Sequence, residues 1–265
     1  MGGTSSVGNS YGLFMLITVI YIILDYTTMS KRTEDPKSKM KQGLTYALIY
    51  CSALIVMELF VNLSLTSEVC GSAQWGSAVF ATIFPWGLIF GSVMLLLNMF
   101  PGWLAPFSNT FGYLVAVLGG VDSVVADILL PRPHDSSKGA NSATQAALAH
   151  IYGNKSLMIN EITSSSFNSF WIGMKSLMKQ DAIESVRLKD ELYKLVVMKE
   201  SAAKFLWYVL AGGLVTSVSF NYVVNSACSM SIDEMEERHK EYEETIAKQH
   251  SDAGEEQPRV YSTTE

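Results

Sequence analysis

The chain has 265 residues, of which 49% are hydrophobic and only 17% are charged. Soluble domains carry about 25% charged residues on average, so this composition does not favour an ordinary soluble protein. The formal net charge of −6 comes largely from the segment after Cys228, where acidic residues outnumber basic ones. The charge balance therefore gives no support for binding nucleic acid or another polyanion.

The first ten residues are rich in glycine and serine, and residues 1–10 are predicted to be flexible. Gly2 and Ser6 fit the pattern M-G-x-x-x-[ST], which makes Gly2 a candidate for myristoylation; the alternative is an unmodified start. Residues 11–26 form the first apolar segment, with Asp25 near its end. Its tyrosines, Tyr11, Tyr21 and Tyr26, are suited to the membrane interfaces.

A basic loop follows this first segment. Its cations are Lys31, Arg32, Lys37, Lys39 and Lys41. Because cytosolic loops of membrane proteins are enriched in Lys and Arg, we expect this loop to be cytosolic and attracted to anionic headgroups. This orientation conflicts with cytosolic myristoylation of Gly2, unless the first segment does not span or modification precedes insertion.

Residues 44–65 form the second apolar segment, and Glu58 is its one acidic residue. A lone carboxylate at membrane depth is costly, so its side chain should face a partner or a wet crevice. Two interpretations stay open. Glu58 is an ion or proton site, or it is a carboxyl near the interface or hydrogen-bonded between helices.

No Lys, Arg, Asp or Glu occurs between Glu68 and Asp122. Residues 78–100 within this stretch can cross the hydrocarbon of a bilayer, which takes about 20 helical residues. Pro85 is predicted to kink or interrupt this helix. Gly87 and Gly91 form a G-x-x-x-G pattern, which permits close approach of another helix.

The next stretch is less regular. Pro101 and Pro106 should prevent one continuous helix, which predicts a turn at the level of the headgroups. Residues 113–130 are again apolar, but Gly119 and Gly120 lower their helix propensity. This segment is a fourth crossing, a re-entrant hairpin or an interfacial helix.

Residues 131–203 are predicted to form a helical region outside the membrane. An apolar stripe at spacings of three and four indicates packing on a partner helix or on the membrane surface. The stripe comprises Phe167, Phe170, Trp171, Met174, Leu177 and Met178. A further helix should start at Asp181, carry an i,i+4 ion pair between Arg187 and Glu191, and run on into the last span.

Residues 204–228 form the last predicted transmembrane helix, with Trp207 and Tyr208 beside Lys204 as an interfacial anchor. Gly212 and Gly213 lie on a small-residue face suited to helix packing. Residues 229–265 are predicted to be an acidic amphipathic helix and a disordered tail. The apolar positions of that helix are candidate partner-docking residues: Ile232, Met235, Tyr242 and Ile246.

Together these segments predict an all-α, multi-span helical membrane protein. It has four or five hydrophobic segments, a helical extramembrane region and an acidic C-terminal helix. The four histidines are scattered, and no phosphate-binding loop, dinucleotide fingerprint or hydrolase motif occurs. The chain is therefore predicted not to be an enzyme and to use no cofactor or metal.

The segment FPGWLAPFSNTFGYLV, residues 100–115, together with the multi-span layout, resembles membrane proteins of large icosahedral double-stranded DNA viruses of algae and their relatives. In such virions, minor capsid proteins tie an internal lipid membrane to the capsid, and some of them span the membrane or are myristoylated. The resemblance implies a structural protein of the virion's internal membrane, assembled on host membrane. Its partners would be the bilayer, capsid proteins and further copies of itself.

Two alternatives to this function stay open. The first is a small multi-span transporter or channel that uses Glu58 and the proline-containing segment around Pro85. The second is a tetraspan scaffold or trafficking protein of a host cell, which is physically close to the structural role.

Overall fold

The computed structural model describes residues 3–31, 36–131, 142–226, 228 and 232–252. All regular structure in these residues is helical, apart from one isolated bridge between Leu129 and Met178. The helices are α1 (Gly3–Met29), α2 (Pro36–Cys70), α3 (Trp75–Met99), α4 (Pro101–Leu118), α5 (Val121–Ile128), α6 (Ser142–Gly153), α7 (Lys155–Glu161), α8 (Phe167–Gly173), α9 (Gln180–Glu184), α10 (Val186–Asn225) and α11 (Ile232–Asp252). The prediction of an all-α protein is confirmed.

Four helices are long and apolar enough to cross a membrane. They are Ser10–Met29, Lys41–Cys70, Trp75–Met99 and Val186–Asn225. Large apolar side chains such as Leu16, Phe60, Leu88 and Leu214 are exposed on their outer surfaces, as expected of faces that contact lipid. The multi-span architecture predicted from the sequence agrees with these lengths and faces.

The first helix begins earlier than predicted. α1 starts at Gly3, inside the segment that the sequence indicated as flexible. Once a long apolar segment has formed a helix, each further residue adds a hydrogen bond at low cost, so the helix extends into its Gly- and Ser-rich start.

Pro101 marks a break as expected, since Phe100 is not helical and α4 begins at Pro101, whereas Pro85 lies inside an unbroken α3. Ile83–Phe90 is a π-helical stretch inside α3, and its wider turns accommodate Pro85 without a break. Pro101 is the first residue of α4, where the N–H has no intrahelical partner, so proline costs little there. Pro106 lies where the 3₁₀ turn Pro101–Leu104 gives way to an α-helical turn.

The predicted segment 113–130 is two helices rather than one. α4 ends at Gly119-Gly120, where Gly120 has a positive φ of 91°, a backbone conformation that glycine adopts without strain. α5 then leaves at 81° to α4, so the two could cross a membrane only as a broken pair. Val121, Val125 and Ile128 of α5 are buried in the core described next.

A hydrophobic core forms around the first half of α10, and α5 to α9 surround it. We call α5 to α9, together with residues 186–200 of α10, the platform. The predicted apolar stripe lies in this core, but it is divided between α8, a 3₁₀ turn at Lys175–Leu177 and the following extended residue Met178. The stripe therefore packs against other helices, which was one of its two interpretations.

A second core lies between α1, α2, α3 and the second half of α10. We call these four elements the bundle, counting α10 from residue 201. Tyr21, Tyr50 and Tyr208 stack inside it, with 4.3 Å between the ring centroids of Tyr21 and Tyr50. Tyr21 and Tyr208 therefore do not face the headgroups as expected of interfacial anchors, because both rings are buried between helices.

The chain divides into two compact units, Met1–Asn225 and Ser226–Glu265. The platform and the bundle belong to the first unit. In the second unit, α11 is a single amphipathic helix in which Met235 and Tyr242 are exposed.

Candidate functional site at the membrane boundary

The helix α10 joins the platform to the bundle without a break. It has 40 residues, Val186–Asn225, which is about 60 Å at 1.5 Å per residue. The hydrocarbon of a bilayer is only about 30 Å thick, so roughly half of α10 extends beyond it. Ser185 caps the start of α10, since its Oγ accepts the N–H of Leu188 at 3.3 Å.

The beginning of α10 differs slightly from the prediction. A helix does start near Asp181, but α9 ends at Glu184 because Ser185 is extended, and α10 begins at the next residue. The predicted ion pair is confirmed, with 2.9 Å between Nη1 of Arg187 and Oε2 of Glu191. As expected, α10 continues from there into the last span.

Lys199 marks the point where α10 crosses α4. A Cβ on Gly112 of α4 would come within 3.0 Å of Cγ of Lys199 and would also meet the Lys199 backbone. Glycine at position 112 therefore allows the two helices to touch. The side chain of Lys199 is 1% exposed, and its Nζ donates to the carbonyls of Ile159 and Ile162 at 2.8 and 3.0 Å.

The sequence did not predict this role for Lys199. Its neighbours Lys194 and Glu200 are also charged, and nothing local distinguishes a buried lysine from an exposed one. The three-to-four spacing of Leu192, Val196 and Lys199 places the lysine on the apolar face of α10, which is the one signal available.

Asp25 and Lys204 form an ion pair between α1 and α10. Nζ of Lys204 donates to Oδ2 of Asp25 at 2.7 Å, and the two side chains are 14% and 3% exposed. Each charge depends on the other, since an unpaired charge in this position would be costly. The pair lies where Tyr26 and Met29 pack against the platform core, which places it at the boundary between platform and bundle.

A cavity of about 710 Å³ lies beside this ion pair. Its floor is polar and includes Asp25, Lys204, Glu200, Ser164 and Ser201. Residues near the start of α2, the end of α3 and the start of α4 add apolar walls, with Leu44, Leu95, Leu97, Met99 and Leu104 among them. The cavity is therefore amphipathic and sits where three helices of the bundle begin or end.

A second polar cluster lies inside the bundle around Glu58, which is 1% exposed. Oγ of Ser10 lies 3.0 and 3.1 Å from the two carboxyl oxygens of Glu58. One turn further along α2, the amide of Asn62 donates to Oγ1 of Thr82 at 2.9 Å and accepts from Oγ of Ser219 at 3.1 Å. The cluster thus connects four helices, which agrees with the interpretation of Glu58 as a carboxyl hydrogen-bonded between helices.

The space beside Glu58 is small. Its volume is about 10 Å³, and a single water molecule needs roughly 10–15 Å³. The cluster can hold one water at most in this conformation.

The four predicted packing glycines behave differently. A Cβ on Gly212 would collide with the ring of Phe14, whereas a Cβ on Gly213 would make only ordinary contact with Tyr11 at 3.6 Å. Gly87 and Gly91 also have room, since the nearest atoms to their added Cβ lie at 3.8 Å. Of the four, only Gly212 is therefore at a helix crossing that requires glycine. Gly112 is at a second such crossing, which the sequence analysis did not predict.

The remaining predicted residues are only partly described. Lys31 and Lys41 are exposed at the ends of α1 and α2, while Gly2, Arg32 and the side chains of Lys37 and Lys39 lie outside the described residues. In α11, Met235 and Tyr242 are exposed and Ile246 is half-buried; the side chain of Ile232 is outside the described residues.

The described residues contain no group of His, Cys, Asp or Glu side chains that could hold a metal ion. Comparisons with known protein families, with curated proteins and with solved structures find no match to this chain.

Proposed function

We propose that this protein is a non-enzymatic architectural membrane protein that ties a lipid bilayer to a protein layer beside it. In the setting suggested by the resemblance of residues 100–115, it is a minor capsid protein that joins the internal membrane of a virion to the capsid shell. The bilayer would hold the bundle, and shell proteins would bind the platform and α11.

The observation that carries this proposal is the continuity of α10. One helix enters both the platform core and the bundle core, so a force applied to the platform is transmitted to the bundle without a flexible linker. Two contacts reinforce the boundary: the close crossing at Gly112 and Lys199, and the ion pair of Asp25 with Lys204. Such rigidity suits a tether.

Two surfaces are available for the protein layer. Ile172 and Val186 of the platform are 65% and 62% exposed. On α11, Met235 and Tyr242 are exposed on a helix rich in acidic residues. Contiguous apolar patches with a polar rim are typical of protein interaction sites, and we propose that these exposed side chains contribute to such patches.

Cross-linking mass spectrometry on intact particles or native membranes tests the proposal. Lys175 and Lys179 of the platform and Lys240 of α11 should cross-link to shell or scaffold proteins, whereas Lys41 at the start of the second span should link mainly within the chain. The proposal would be wrong if the platform and α11 lysines linked only to this protein while other membrane proteins of the same sample linked to the shell.

The buried cluster around Glu58 favours one alternative, a small transporter or channel. A carboxyl within a span, near an amide of its own helix and hydroxyls from three other helices, is the kind of site through which protons or cations pass. This function requires the small space beside Glu58 to open.

A flux assay on proteoliposomes separates the two functions. Uptake of protons or monovalent cations that is abolished in Glu58→Gln would establish transport. If vesicles that contain the wild-type protein take up these ions no faster than vesicles that contain Glu58→Gln, the architectural role remains.

A further inference from the structure

We propose that the cavity beside Asp25 and Lys204 is a binding site for one phospholipid whose headgroup carries both a phosphate and a primary ammonium, as phosphatidylethanolamine does. This site is independent of what the platform binds. Its argument rests on the position, the shape and the charge of the cavity.

The position of the cavity favours a lipid. Leu44 opens the apolar part of α2 and Met99 closes α3, so the cavity lies at the level where the bundle leaves the hydrocarbon. Its volume of about 710 Å³ falls within the roughly 300–1,000 Å³ of pockets that enclose small ligands. Phospholipid headgroups are the most concentrated ligands at this level.

The cavity also opens towards the surface that contacts lipid. Leu44, Leu95 and Met99 line it and are 47%, 47% and 68% exposed. The floor is closed, since Asp25 and Ser201 are buried. A headgroup on the floor could therefore extend its acyl chains past these three apolar side chains into the bilayer.

The charges of the floor select the headgroup. Among the described residues that line the cavity, Lys204 is the one cation, and Asp25 and Glu200 are the two carboxylates. A phosphate could accept further hydrogen bonds from the Lys204 ammonium, which has three N–H donors and gives one to Asp25. The described lining residues then carry a formal charge of −1, from one cation and two anions, which disfavours a lipid with a net negative charge.

Glu200 supplies the second contact. Its Oε1 accepts the backbone N–H of Ser164 at 2.9 Å, so the carboxylate is fixed in place and its other oxygen can accept from an ammonium. A primary ammonium has N–H donors for this bond, while the quaternary ammonium of a choline headgroup has none. The site should therefore prefer ethanolamine to choline.

Native mass spectrometry on the full chain, delipidated in detergent, tests this inference. The probes are phosphatidylethanolamine, phosphatidylcholine and phosphatidylglycerol with identical acyl chains. We expect one ethanolamine lipid to bind about tenfold more tightly than the other two, the difference expected from one charge-assisted hydrogen bond.

Matched variants locate the binding. Glu200→Gln keeps an oxygen for the N–H of Ser164 but removes the negative charge, so it should abolish the preference for ethanolamine. Glu191→Gln on the same helix, outside the cavity, should keep the preference. Ser165→Trp at the rim should weaken binding of all three lipids by filling the space.

Three results would overturn the inference: equal binding of the three lipids to the wild-type chain, many adducts without saturation at one, or an unchanged preference in Glu200→Gln. The first two would indicate non-specific lipid around the spans. If Glu200→Gln fails to fold, the comparison of the three lipids on the wild-type chain still decides.

Discussion

Asp25 near the end of α1 and Lys204 in α10 form a buried ion pair, although they are 179 positions apart in the chain. Removing one partner leaves the other charge buried without compensation, which costs about 3–5 kcal/mol, whereas removing both costs much less. We expect Asp25→Asn and Lys204→Met each to lower the free energy of unfolding strongly. The double variant should lose less stability than the two single losses added together. Unfolding titrations in mixed detergent measure all three.

The comparison includes a control pair. Arg187 and Glu191 form an ion pair of similar length on the exposed surface of α10, and exposed pairs contribute less than about 1 kcal/mol. Additive effects of the Asp25 and Lys204 variants would contradict the assigned pairing.

Two adjacent glycines in α10 give a second prediction. Gly212→Ala places a methyl group against the ring of Phe14 and should lower stability by about 1–3 kcal/mol, the usual cost of overpacking. Gly213→Ala has room and should be neutral or stabilising by up to about 1 kcal/mol, because alanine favours the helix. Thermal unfolding in detergent compares the two.

The partner of Gly212 can be tested by rescue. A smaller residue in place of the ring, Phe14→Leu, should restore part of the stability that Gly212→Ala removes. Equal loss in both glycine variants, or no rescue, would show that α1 and α10 do not meet at this point.

The hydrogen bond from Ser10 to Glu58 gives a third prediction. The hydroxyl of Ser10 is the donor that the structure places next to both carboxyl oxygens of Glu58. Ser10→Ala removes this hydrogen bond and should lower the free energy of unfolding by about 1–3 kcal/mol. Ser217→Ala is the control, since that hydroxyl is exposed and bonds only the carbonyl of Gly213 within its own helix. A stability loss no larger in Ser10→Ala than in Ser217→Ala would contradict the contact.

The tryptophans give a fourth prediction, on the depth of α3 and α4. Trp75 and Trp103 are 61% and 53% exposed near opposite ends of α3, whereas Trp86 and Trp171 are buried. In variants that keep a single tryptophan, brominated lipids should quench Trp75 and Trp103 more strongly than Trp171. Weak quenching of Trp103 would place the start of α4 in water rather than at the bilayer surface.

Much of the architecture could be predicted because lipid imposes a simple constraint. A span must be a helix of apolar residues, so the absence of charge from Glu68 to Asp122 indicates membrane segments without knowledge of the fold. The stripe from Phe167 to Met178 likewise indicates a buried face. The spacing of this stripe could not predict that it is divided between α8, a 3₁₀ turn and Met178. Apolar residues can follow one another in the same order whether the chain continues as a helix or turns.

The site was harder to predict, because it depends on residues distant in sequence. Nothing near Asp25 indicates a partner in α10, and nothing near Lys199 indicates that two carbonyls of the α7 region would accept from its ammonium. Pro85 misled for a related reason. Proline disfavours a regular α-helix, but the π-helical stretch Ile83–Phe90 accommodates it.

The shared helix α10 also governs the order in which the protein can be assembled. Ribosomes add residues from the N-terminus, so α1, α2 and α3 enter the membrane while α10 has not yet been made. Phe14, Trp86 and the buried tyrosines then lack the wall that Tyr208 and Val215 supply, and α5 to α9 lack their centre. The platform core therefore stays open until residues 186–200 have been synthesised, and the bundle core closes only after Tyr208 and Val215 have followed.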